Sequence, residues 1–236
     1  MAGVACEAMS GDATAEREIG ALEIATRSGA VIVRARAIER PEVLSGPAEI
    51  QPDGVVRAGF SGRIEIACPE GTDVIIGSSS GRIECHGRLG RVAVTGHSGR
   101  ITIEEARDIE VRSTSGRVAI GRCEELCRVA VGSGGVEIGS AGAVDITLTS
   151  GRLEVDSVGD CRVRSGSGRV VLGLSRAGSV EVSTLSGRVT VSVPSGVAPD
   201  LRLTSGSGRV QCEVTPGSDG ELSIESHSGS IKVSQA

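Results

Sequence analysis

Aromatic side chains are all but missing from this chain. Phe60 is the only one among 236 residues, with no Trp or Tyr. A thick mixed core is excluded, and so are the aromatic platforms that usually line sugar-binding clefts. Lysine is as scarce: Lys232 stands alone, so the positive charge is carried by arginine. The net charge of −5 and pI of about 5.4 give no general attraction to nucleic acid or to an anionic membrane. No stretch approaches the roughly 18 apolar residues of a membrane helix. The first twenty residues, MAGVACEAMSGDATAEREIG, show neither the basic nor the apolar segment of a secretory signal. The sequence therefore predicts a cytoplasmic chain with no membrane insertion. Glycine is plentiful, at 35 residues, but has no three-residue period, which excludes collagen.

What is present is a repeat. A Ser-Gly pair recurs with its glycine at Gly29, Gly62, Gly81, Gly99, Gly116, Gly134, Gly151, Gly168, Gly187, Gly208 and Gly229. After a first gap of 33 the spacings are 17 to 21, the mark of a repeat architecture. Aligned on that glycine, positions seven and five before it and two and four after it are apolar in every copy except at Arg57. The copy around Gly116 reads Ile109, Val111, Val118 and Ile120. Spacing of two within each pair, with Val and Ile dominant, describes two half-buried strands. The inner positions of the two strands lie seven apart, an odd number, so a straight strand would put them on opposite faces. The chain must bend between them, and Ser-Gly supplies the bend: glycine tolerates positive φ and the serine hydroxyl can bond nearby backbone.

One copy cannot bury its own apolar face, so copies must stack. The expectation is an all-β protein: a single elongated β-solenoid, parallel β-helix-like, of about eleven rungs of 17–21 residues each, roughly 50 Å long at ~4.8 Å per rung. The repeat carries no signal for handedness or for a third strand per coil. Six residues before the glycine, successive copies read Glu110, Arg128, Asp145, Arg162, Glu181 and Arg202. Parallel in-register stacking places these opposite charges side by side. Residues 1–18 are expected to form a flexible tail and 19–236 the solenoid. Residues 34–54, with Ser45-Gly46 at their centre, read either as a degenerate rung or as an edge insertion. The connections lengthen at Pro194–Pro199 and Pro216–Gly220, where a binding surface most readily forms. The last rung, around Ile231 and Val233, is expected to leave an exposed strand edge.

The units SGRIEI, SGRIEC, SGRITI, SGRVAI, SGRLEV, SGRVVL, SGRVTV and SGRVQC resemble those of the bacterial putative-adhesin family. That family is a β-strand-repeat domain of unknown function with serial Ser-Gly-Asp-Val-x-Val units. The resemblance spans roughly Leu22 to Val233, with Arg here where the family commonly has Asp. It implies a surface-exposed interaction protein and brings no catalytic motif.

The arginine after Ser-Gly is the one candidate binding feature. It occurs at Arg63, Arg82, Arg100, Arg117, Arg152, Arg169, Arg188 and Arg209, with Gly135 dividing the ladder into two runs of four. Stacked, these form a stripe for phosphate, sulfate or an acidic glycan. The competing expectation is that they satisfy turn carbonyls and pair with Glu65, Glu84 and Glu154 two residues on. Cys123 and Cys127 have a metal-compatible spacing, but no second Cys/His pair accompanies them. Seven cysteines, four in core columns (Cys85, Cys127, Cys161 and Cys212), read as small buried hydrophobes of a reducing compartment. The three histidines, His86, His97 and His227, do not converge on a triad. No catalytic, cofactor or metal site is expected. The function expected is a non-enzymatic scaffold with a protein or glycan partner. Self-association through terminal rungs, a polyanion-binding ladder and, last, a carbohydrate-active enzyme with paired carboxylates are the alternatives.

Overall fold

The computed structural model describes residues 21–51, 53–58 and 62–236. The expected N-terminal tail, Cys6 and Phe60 lie outside the described residues. Every element is a β-strand: β1 (Leu22–Thr26), β2 (Ala30–Arg36), β3 (Glu42–Ser45), β4 (Ala48–Ile50), β5 (Val55–Ala58), β6 (Arg63–Pro69), β7 (Val74–Leu174), β8 (Ser179–Val193), β9 (Asp200–Ser207), β10 (Val210–Cys212) and β11 (Glu221–Gln235). The 101 residues of β7 are one ladder that never leaves the sheet. The chain bends at each Ser-Gly and keeps hydrogen-bonding to the coil beside it. The architecture is β-solenoid-like, with parallel pairing throughout the repeat.

Register follows the aligned columns where β7 meets β8. Cys161 pairs with Val180, Val163 with Val182, Gly168 with Gly187, Val170 with Val189 and Leu172 with Val191. The turn glycines form their own ladder, and all but Gly62 pack against the carbonyl of a turn glycine in the neighbouring coil. Ten of the eleven hold φ between 118° and 157°, Gly229 being the exception. The four aliphatic columns fill the interior. A further inward column lies six to eight residues after the turn and includes Cys68, Leu89, Ala106, Cys123, Ala141, Val158 and Val193, all buried. Cys68 and Cys123, outside the four sequence columns, belong to it.

The order of coils in space differs from their order in sequence at both ends. β1 lies between β5 and β7, and β2 between β6 and β7. The first coil is therefore inserted between the second and third. β11 pairs with β8 on one side and with β9 and β10 on the other. The last strand thus sits inside the stack, and Ile231 and Val233 are buried. The exposed edge is the coil before it, β9–β10, where Val210 is 41% exposed and Cys212, read as core from its column, is exposed. The 21-residue spacings record the crossing. The connections skip one coil outward and return, and they brace each other through Asp219 N–H to Ala198 O at 2.8 Å and Gly217 N–H to Pro199 O at 3.0 Å.

Residues 42–50 run antiparallel to β6 and β5, whereas a coil of the repeat would run parallel. They cover the N-terminal edge of the stack. The exception at Arg57 has a simple cause. Ile24 pairs with Val56, six residues before Gly62 rather than five, so the strand is slipped by one. Val56 takes the buried place and Arg57 faces solvent, as a one-residue slip requires.

Cross-coil ion pairs reinforce the register. Arg162 meets Glu181 at 2.9 Å and Arg91 meets Glu110 at 2.8 Å. Arg202 does not reach Glu181, because Ser223 of the inserted β11 stands between them; it meets Glu221 at 3.3 Å instead. Asp160 accepts the Ser179 N–H at 2.9 Å and the Arg176 guanidinium at 2.6 Å. Those bonds, the Ser179 one foremost, hold its carboxyl below the ordinary aspartate range against the opposing effect of burial. A carboxyl depressed in the folded state stabilises fully above its unfolded pKa, and that share is lost as pH falls below ~4. Asp160→Asn should therefore lower the urea midpoint near neutral pH, and the deficit should shrink as pH falls from about 6 to about 3.

Candidate functional site

The outward face of the strand after each Ser-Gly carries three side-chain columns, one, three and five residues past the glycine. The first holds the arginines, and all eight are exposed. The inserted coils change their grouping. Ala30 separates Arg63 from Arg82, and Ser230 follows Arg188 where the sequence order would place Arg209. The ladder in space is Arg82, Arg100 and Arg117, then Gly135, then Arg152, Arg169 and Arg188. It forms two runs of three, not two of four, with Arg63 and Arg209 set apart.

The pairing expected with the glutamate two residues on occurs at the N-terminal end alone. Arg63 meets Glu65 and Arg82 meets Glu84, each at 3.3 Å. Glu65 is shared with Arg34, at 2.6 Å, and the Arg34 bond is the main cause of its lowered pKa. Glu65 and Glu84 are not stacked neighbours, because Ile32 stands between them. Arg100, Arg117, Arg152, Arg169, Arg188 and Arg209 make no side-chain hydrogen bond or ion pair among the described residues. The second column offers most of them no carboxylate: Thr102, Ala119, Val171, Thr190 and Gln211 lie two residues past Arg100, Arg117, Arg169, Arg188 and Arg209, and only Arg152 has a glutamate, Glu154.

Beside the arginines lies a shallow open groove of about 660 Å³. Its floor is low because the columns hold Ala119, Gly121 and Gly139 there. Its sides carry Glu104, Glu137, Glu154 and Asp156, with His86 at one end. His86 lies 3.5 Å from Glu104. Glu137 and Glu154 occupy the same column in adjacent coils. They rise side by side from one wall, whereas glycoside hydrolysis places its two carboxyl groups on either side of the scissile bond.

Cys123 and Cys127 are brought together. The Cys127 thiol donates to Cys123, and this bond with burial raises the Cys127 pKa well above the ordinary thiol value. The Cys123 thiol also reaches the Arg107 carbonyl at 3.5 Å. Among the described residues no group of three or more His, Cys, Asp or Glu is placed to hold a metal ion. His97 and His227 remain on distant coils, both exposed.

The turn is stabilised by a hydroxyl the sequence reading did not single out. The serine of Ser-Gly bonds backbone at Ser115, whose hydroxyl donates to His97 O at 3.4 Å. In four coils the residue three before the glycine also donates to the carbonyl of that serine: Thr26 to Ser28, Ser78 to Ser80, Ser113 to Ser115 and Thr184 to Ser186, at 3.0–3.2 Å. The aligned repeat shows the signal, since that position holds small residues or Val131 and Leu148.

These features describe a β-solenoid-like stack of short parallel coils with charged outer faces. The chain belongs to the Toastrack DUF4097 family, whose model matches residues 43–236. This is a putative-adhesin-like domain of unknown function, as the SGRVxV units suggest. A solved structure described as a putative cell adhesion protein from Clostridium sporogenes ATCC 15579 is similar over 92% of this chain and 94% of that one, at 11% identity and a TM-score of 0.19. No curated protein matches. Among the described residues no helix is long and apolar enough to cross a membrane.

Proposed function

We propose that the protein is a non-enzymatic interaction scaffold of the putative-adhesin type that binds an acidic glycan or similar polyanion along its arginine ladder. The observation that carries this reading is the run of unpaired guanidinium groups, Arg100 and Arg117, then Arg152, Arg169 and Arg188. Guanidinium groups one strand spacing apart, ~4.8 Å, repel one another unless an anion lies across them. Planar, forked donors at a fixed repeat suit sulfate, phosphate or carboxylate groups on a polymer. We read the scaffold as eleven coils, supported by the glycine ladder, so the stripe has the rigidity of a sheet and needs no ordering on binding.

The test is binding of a sulfated glycan such as heparin, measured by titration at several salt concentrations. Affinity is expected to fall steeply with salt. The triple variant Arg152→Gln, Arg169→Gln, Arg188→Gln should weaken it by about tenfold or more. Arg63→Gln, whose side chain is already paired, should change it little. Salt-independent binding, or equal loss from both variants, sinks the reading. The enzyme alternative is weaker, because no aromatic platform lines the groove beside its carboxylates. End-to-end polymerisation is weaker too, because β3 and β4 cover one end.

A further inference from the structure

Cys123 and Cys127 meet thiol to thiol at one corner of the solenoid. Cys123 stands in the further inward column, and Cys127 is the first core position of the next coil. Three residues, Glu124, Glu125 and Leu126, make the corner between them. Both side chains face the core, at 2% and 0% exposure. The Cys123 sulfur has unusually polar surroundings for a core atom. It lies 3.5 Å from Arg107 O. It accepts from the Cys127 thiol and from the backbone N–H groups of Glu125 and Ile109. Donors aimed at a sulfur favour its thiolate. The Cys127 bond foremost, they hold the Cys123 thiol below its ordinary value against burial and the Asp108 carboxylate. Burial instead pushes Cys85 and Cys161 up to about 12.

The packing around Cys123 is also light. Its neighbours in the column are Ala106 and Ala141, the smallest side chains there, and Ala141, at 9%, is the most exposed of the column. The sulfur therefore has room to shift, and solvent comes nearest the column one coil away.

We propose that Cys123 and Cys127 are an oxidative modification site, at which hydrogen peroxide closes an intrachain disulfide across the Glu124–Leu126 corner. The Cys123 thiolate attacks one peroxide oxygen, the O–O bond breaks, and hydroxide leaves. The Cys127 sulfur then attacks the sulfur of the resulting sulfenic acid, and the S–O bond breaks. The hydroxyl leaves with the Cys127 proton as water. The two sulfurs lose two electrons in all, and the peroxide gains them. The sulfurs close from contact to ~2.05 Å, and a thiol reductant reopens the bond by exchange.

Peptide mass after peroxide treatment of the reduced full chain tests this. Remaining thiols are alkylated in urea before digestion. Trypsin cuts after Arg122 and Arg128, so both cysteines fall on one peptide, residues 123–128. The expected product is that peptide without alkyl groups and two hydrogens lighter than its dithiol form. Cys85 and Cys161 should oxidise at least about tenfold more slowly. Cys127→Ala should leave a sulfenic acid at Cys123 that dimedone traps, whereas Cys123→Ala should leave Cys127 a thiol. If circular dichroism shows either variant unfolded, the mass of the unaltered peptide decides. Both cysteines recovered alkylated once the exposed Cys212 has been oxidised, or Cys161 oxidised as fast as Cys123, overturns the proposal.

Discussion

Gly134→Ala should lower the unfolding free energy by about 4 kcal/mol or more, a large share of the roughly 5–15 kcal/mol of an ordinary domain. Gly62→Ala should cost only about 1–3 kcal/mol. Both glycines hold nearly the same conformation, φ 137° and φ 129°, so the backbone strain of adding a Cβ is shared. The surroundings differ. At Gly134 the new carbon would run into the Gly116 carbonyl oxygen of the neighbouring coil, while at Gly62 it meets nothing among the described residues. Backbone cannot step aside as a side chain can, so the clash must open the ladder. Urea unfolding followed by far-ultraviolet circular dichroism measures both, since the chain has no Trp or Tyr for fluorescence. Equal costs would mean that the coils do not press on one another at the turn.

Ile231→Ala should cost about 2–5 kcal/mol and Val210→Ala less than about 1 kcal/mol. The two residues occupy the same column and are paired neighbours. Ile231 is fully buried and Val210 is 41% exposed, because β11 lies inside the stack and β10 outside it. A chain stacked in sequence order would give the opposite ranking, with Ile231 at the end. The same denaturation experiment separates the two arrangements, and similar losses at both positions would deny the insertion of β11.

Much of this fold is legible because stacking forces each column to repeat. Val163 over Val182 and Gly168 over Gly187 follow from alignment alone. The order of coils does not follow, because a column of like residues is satisfied by any permutation of its rungs. Leu222 pairs equally well with Val180 and Leu201. The only trace of the exchange is the wider spacing near the C-terminus, and its cause cannot be separated from an ordinary longer loop. The further inward column escaped for another reason. It lies six, seven or eight residues past the turn, so a fixed offset blurs Cys68, Ala106 and Leu89 into separate positions. The arginine ladder was visible residue by residue, but which arginines are paired depends on what the neighbouring columns place beside them.

The exchange of coils at the C-terminal end also sets an order in time. Residues 200–212 rest on β11 alone, and β11 is made after them. A chain emerging from the ribosome can extend the stack coil by coil through β8, each new strand docking on the one just finished. Then it must wait. The segment that follows has no surface to settle on until some twenty further residues have appeared and docked on β8. For that interval the edge of β8 stays open, and the apolar residues Leu201, Leu203 and Val210 hang unhoused. The native arrangement therefore depends on the waiting segment not taking the vacant edge first, and the long proline-bearing connections at 194–199 and 216–220 are well placed to hold it back.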